Sequence, residues 1–125
     1  MKTIGIGVDI VENKRIKSLV RNKRFLNRTF TKKEIIISKN YLNKTNFFSK
    51  RFAAKESLAK ALGTGFRDNL NLKDIEIIND KLGKPHYLIN PKIKKIIKIK
   101  KKTNNFKLFL SISDEKDYSV AFTII

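Results

Sequence analysis

Residues 47–63, FFSKRFAAKESLAKALG, decide how this chain is read. Phe48, Phe52, Leu58, Ala61 and Leu62 recur at helical spacing, and Gly63 follows as a stop signal, which predicts a helix over about 47–62. Polar Asn43 to Asn46 break the pattern before it. Upstream, Thr31-Lys-Lys-Glu34 is a capping-box sequence, in which hydroxyl and carboxylate satisfy the first free N–H groups, so a helix should run from Lys32 to about Tyr41. Phe25, Leu26 and Phe30 read as a short apolar link back to a helix over Asn13–Asn22. That helix sets Ile16, Leu19 and Val20 on one face, with Lys14, Arg15, Lys17 and Arg21 opposite and Lys23 and Arg24 just beyond. The first element, TIGIGVDIV (3–11), reads as a strand whose glycines permit a close backbone approach or a bulge.

Downstream of Gly63-Thr-Gly65 a loop passes Asp68 and Asn69. DIEII (74–78) and the residues from His86 to Ile89 form a predicted hairpin around the turn residues Asp80 to Pro85. Asn90-Pro91 supplies a cap and a proline at the first helical position, opening a lysine-rich helix to about Lys101 with Ile93, Ile96 and Ile97 on one side. Phe106–Ser113 and Tyr118–Ile124 close the chain as a second hairpin. With no repeat and no linker, residues 1–125 form a single small α+β domain with mostly antiparallel sheet and packed helices.

Composition narrows the chemistry. The absence of cysteine excludes disulfides, thiolate metal sites and cysteine nucleophiles. No segment has the length of a membrane span and no signal peptide is visible, so a cytoplasmic setting is expected. The net charge of +18 and pI near 10.3 suit a polyanionic partner, although the Lys, Ile and Asn bias of an AT-rich genome produces the same excess. A nucleic-acid-binding module is the alternative that this charge raises, resting on Lys92–Lys102, but no RNA- or DNA-reading motif accompanies it. A membrane-surface role for the same helix lacks aromatic anchors.

Asp9 and Glu56 are the acidic residues placed where acids are costly, one in an apolar strand and one in the best-specified helix. Should they approach, a proton or cation must relieve their repulsion, and magnesium commonly takes one or two protein carboxylates. The plain alternatives are that Asp9 caps the following turn and Glu56 pairs with Lys60 one turn on. Lys60, grouped with Lys55 and Glu56, offers charge for a phosphate oxygen. Gly63-Thr-Gly65 and Gly5-Ile-Gly7 match neither a P-loop nor a dinucleotide fingerprint. His86, the single histidine, reads as a strand residue.

Four segments in order, GIGVDIVENKRI (5–16), RFAAKESLAKALGTGF (51–66), DIEIINDKLGKP (74–85) and SISDEKDYSVAF (111–122), together resemble the holo-acyl-carrier-protein synthase family of phosphopantetheinyl transferases. The resemblance implies a trimer with active sites between subunits. It also implies use of Mg²⁺ and transfer of phosphopantetheine from coenzyme A to a serine of acyl carrier protein. By position it makes Asp9 and Glu56 metal ligands and sets Lys60 against the phosphates. Arg51 and the turn Gly83-Lys84-Pro85 would line the coenzyme A site, while Arg15, Arg21 and Arg24 would dock the acidic carrier. Glu56 and Lys60 would be the catalytic pair, the serine proton leaving through a water steered by Glu56. Many members of the family have histidine where this chain has Asp114, which cannot donate to a phosphate as imidazolium does.

Overall fold

The computed structural model describes residues 2–67 and 69–125; Asp68, expected in the loop after Gly63, lies outside them. Its axis is α4 (Lys44–Leu62), which buries most of its surface because every other layer packs on it. Helix α4 begins three residues earlier than the apolar periodicity indicated. Asn43 caps it by accepting from the Asn46 N–H, so the polar run that looked like a break is the helix start. Gly63 ends it at φ 86°, a left-handed conformation that glycine adopts without a Cβ clash.

Against one side of α4 lies a three-stranded antiparallel sheet, ordered β1 (Ile6–Glu12), β5 (Tyr118–Ile124), β4 (Phe109–Asp114). The strands alternate, so Gly7, Asp9 and Val11 face α4 while Ile6, Val8 and Ile10 face out. Gly5 and Gly7 are what permit the contact. A Cβ on Gly7 would overlap the Ser57 carbonyl oxygen, and one on Gly5 would overlap that of Ala61. The backbone of β1 therefore rests directly on α4.

The other elements close the core. Helix α1 (Asn13–Leu19) is a turn shorter than expected, and α3 (Lys32–Ser38) also stops early; the Thr31/Glu34 capping box is present. The expected link around Phe25 is instead helix α2 (Lys23–Thr29). Asn22 caps it through bonds from the N–H groups of Arg24 and Phe25, a signal hidden among basic residues. A 3-10 turn (Leu72–Asp74) leads into the hairpin β2 (Glu76–Asn79) and β3 (Pro85–Leu88), and α5 (Pro91–Lys101) follows, capped by Asn90. Strands β1 and β4 are shorter at their first ends than predicted, because pairing with β5 begins only at Ile6 and Phe109.

Two buried polar clusters fix these layers. Lys55, fully buried, donates from Nζ to Glu34 Oε1 (2.7 Å) and to the carbonyls of Leu72 and Ile75, binding α4 to α3 and to the entry of β2. The second Glu34 oxygen accepts from the Ile77 N–H. Tyr87 donates to the Ala54 carbonyl (2.6 Å), and its hydroxyl and that of Ser57 both meet Thr123 Oγ1, joining β3, α4 and β5. Burial pushes the Tyr87 phenol up to about 12, so it remains a neutral donor.

Candidate active site

The close packing of β1 on α4 brings Asp9 beside the helix stripe formed by Phe52, Glu56 and Lys60, one turn apart. Lys60 Nζ donates to Asp9 Oδ1 at 3.1 Å and to the Val8 carbonyl at 3.0 Å. Lys60 thus pairs with Asp9 rather than with Glu56, and Asp9 does not cap the following helix: α1 starts at Asn13, and its N-cap residue, Glu12, makes no side-chain cap bond. Burial holds the Asp9 carboxyl above its ordinary value, and Lys60 and Arg15 oppose the rise. Glu56 is raised by burial and then by the negative charge of Asp9, again opposed by Lys60 and Arg15. Two half-buried carboxylates repelling each other is the arrangement that a divalent cation relieves.

Magnesium fits this donor set. Among the described residues no group of three or more His, Cys, Asp or Glu gathers to enclose a metal. Two carboxylates suit an ion that keeps water and substrate phosphate as its other ligands. The exposed Arg15, expected to dock a carrier, also reaches this place: its guanidinium lies 5.9 Å from the centroid of the Phe52 ring. Arg21, in the turn after α1, and Arg24, on α2, are exposed.

Arg51 belongs to a different place. Five residues before Glu56, it projects about 140° around α4 from it. The side chain is buried, its guanidinium stacked 3.8 Å from the Phe47 ring centroid, and among the described residues Nε has no hydrogen-bond partner. Burial lowers its pKa, opposed by Glu34 and the Tyr41 phenol; a guanidinium stays charged regardless. It lines a cavity of about 170 Å³ with Tyr41, Lys50, Asn79, Gly83, Pro85 and Asp114. Lys84 and Pro85 border a neighbouring recess with His86, which is exposed on β3 as expected. Asp114 does not face away: it accepts from Asn46 Nδ2 at 2.8 Å in the first turn of α4. Asp114 lines the same cavity as Lys50 and Arg51.

The sequence expectations thus fall into two groups, Asp9, Glu56, Lys60 and Arg15 in one, Arg51, Gly83 and Pro85 in the other, with Lys84 beside the second. Tyr41, Lys50 and Asn79 were missed. The Phe47–Arg51 spacing of one helical turn could have flagged a stacked arginine; nothing local announces Asn79.

The pattern of the 4'-phosphopantetheinyl transferase superfamily matches residues 5–123. The chain belongs to that superfamily. It is 58% identical over 125 residues to the holo-acyl-carrier-protein synthase of Pelagibacter ubique, covering 100% of this chain and 98% of the relative. With the Orientia tsutsugamushi (strain Boryong) enzyme of the same description, identity is 46% over 97% of this chain and 95% of the relative. The crystal structure of the Neisseria meningitidis synthase superposes with a TM-score of 0.88 at 37% identity, covering 98% of each chain. A Bacillus anthracis synthase solved with coenzyme A (3',5'-ADP) gives 0.79 at 33% identity, covering 98% of this chain and 95% of that one. Superfamily membership makes the chain an enzyme, a phosphopantetheinyl transferase, with the α+β fold of these synthases.

Proposed function

We propose that this transferase moves 4'-phosphopantetheine from coenzyme A to a serine of apo-acyl carrier protein, releasing adenosine 3',5'-bisphosphate and supporting fatty acid biosynthesis. The observation that carries the reading is the placement of Asp9 and Glu56 side by side, with Lys60 against Asp9, on elements whose backbones touch. Both carboxylates would hold Mg²⁺, which supplies positive charge to the diphosphate. Lys60 is half exposed and positioned to turn toward a phosphate oxygen as charge builds there. Glu56, beside Asp9, takes the serine proton through one water. The recess of Arg51, Gly83 and Pro85, flanked by Lys84, holds the nucleotide phosphates. Arg15, Arg21 and Arg24 present exposed positive charge to an acidic carrier.

A homotrimer supports this division of labour. Ile6 (60% exposed), Val8 (52%) and Ile10 (63%) form an apolar outer sheet face with Phe109, Tyr118 and Phe122, larger than single scattered apolar residues. A second copy covering that face would set the Arg51 recess of one subunit toward the carboxylates of the next. No helix of the described residues is long and apolar enough to cross a bilayer. The cytoplasm is the proposed location.

Intact-mass analysis tests the reading. The carrier should gain one phosphopantetheine group with coenzyme A and Mg²⁺, and nothing with chelator. Asp9→Ala and Glu56→Ala should each lower the rate about 100-fold or more with unchanged circular dichroism. Full activity of both at limiting Mg²⁺ would remove the metal assignment.

A further inference from the structure

The carboxylate pair already has two cationic neighbours within the chain. Asp9 and Glu56 bring two negative charges, and Lys60 and Arg15 face them with two positive ones. Lys60 is in direct contact with Asp9, while Arg15 stands over Phe52, one helical turn from Glu56. A divalent cation entering this balanced group meets two fixed positive charges. Its binding improves when an anion draws either of them off. The diphosphate of the cofactor is the natural anion for Lys60. Arg15 is exposed, on the first helix of the basic surface that continues to Arg21 and Arg24, the surface proposed above to dock the acidic carrier.

We infer that Arg15 couples carrier docking to metal binding: resting over Phe52, one helical turn from Glu56, it disfavours a divalent cation at Asp9 and Glu56, and an acidic carrier surface that engages it raises their cation affinity. The inference rests on the reading of Asp9 and Glu56 as metal ligands. Coupling between two ligands is reciprocal, so the metal strengthens carrier binding by the same factor that the carrier strengthens metal binding. The metal is then held most firmly when a carrier serine is present to react. Arg15 acts here as a positioning residue through charge and touches no reacting atom.

The test is a Mn²⁺ titration, with Mg²⁺ as competitor, of the full chain and of Arg15→Gln and Arg15→Lys. Each is measured alone and with saturating apo-acyl carrier protein, coenzyme A being omitted so that no transfer occurs. Without carrier, Arg15→Gln should bind Mn²⁺ about 3- to 10-fold more tightly than the unaltered chain, and Arg15→Lys, which keeps the charge, should not. Carrier should tighten Mn²⁺ binding to the unaltered chain about 5-fold or more and leave Arg15→Gln unchanged. Equal affinities for the unaltered chain and Arg15→Gln overturn the coupling, and so does a carrier without effect on the unaltered chain. Asp9→Asn separates the two levels. If it binds Mn²⁺ as well as the unaltered chain does, the metal assignment itself fails, whereas loss of binding there with no Arg15 effect removes the coupling alone.

Discussion

At Glu56 the fold imposes a cost that function explains. Burial and Asp9 both raise its carboxyl above the ordinary range, so the folded chain disfavours the ionised form. For a raised group, stability is complete below the unfolded value and is lost as pH climbs through the folded one. Glu56→Gln should therefore raise Tm by about 1–3 °C near a pH of about 7 in metal-free buffer and change nothing near about pH 3. Thermal melts at the two pH values check this, and an unchanged or lower Tm at the higher pH would show that Glu56 is stabilised by partners. Lys55, its neighbour, has the opposite design: its charge is turned inward and neutralised by Glu34, with two carbonyls completing its bonds. Sequence spacing grouped the two with Lys60 but could not tell which of them faces the core. That depends on what packs around a helix buried on most sides, and α4 has little amphipathic asymmetry to read.

Among the elements, β1 and α4 set the geometry that the chemistry needs, and Gly7 is the point where they touch. Gly7→Ala would force the strand off the Ser57 carbonyl and carry Asp9 with it. The expected result is a loss of about 1–3 kcal/mol in denaturant unfolding together with weakened metal binding and transfer. Wild-type stability and activity in that variant would mean that the close approach is dispensable. The strand, its glycines and the antiparallel hairpins were legible from period-two patterning and turn residues, and Thr31–Glu34 announced its capping box. Helix α2 was not, because Asn22 lies among lysines and arginines that read as a solvated run. The start of α4 was misread for a related reason, since Asn43 serves as a cap where polarity alone suggests a break. The Asp9–Lys60 contact joins residues 51 positions apart, which no local pattern encodes. Residue chemistry singled out both residues, the family resemblance gave them roles, and the structure supplied their pairing.

On the scale of the whole molecule, an exposed apolar sheet face and two separate groups of polar residues point the same way. Val8→Glu places a charge on that face without touching the core, so the chain should stay folded, shrink to a monomer in light scattering and lose transfer. An unchanged assembly size with full activity would dissociate the face from the proposed trimer. Helix α4 has a further consequence. It presents Arg51 to one side and Glu56 to the other, so in the proposed ring of subunits a single rod would serve two reaction centres at once. Two inactive proteins, one carrying Arg51→Ala and the other Glu56→Ala, should then rescue each other when unfolded and refolded together. Mixed rings contain junctions where both lesions fall on one centre and leave the adjacent centre whole, so measurable turnover should return from two dead parents.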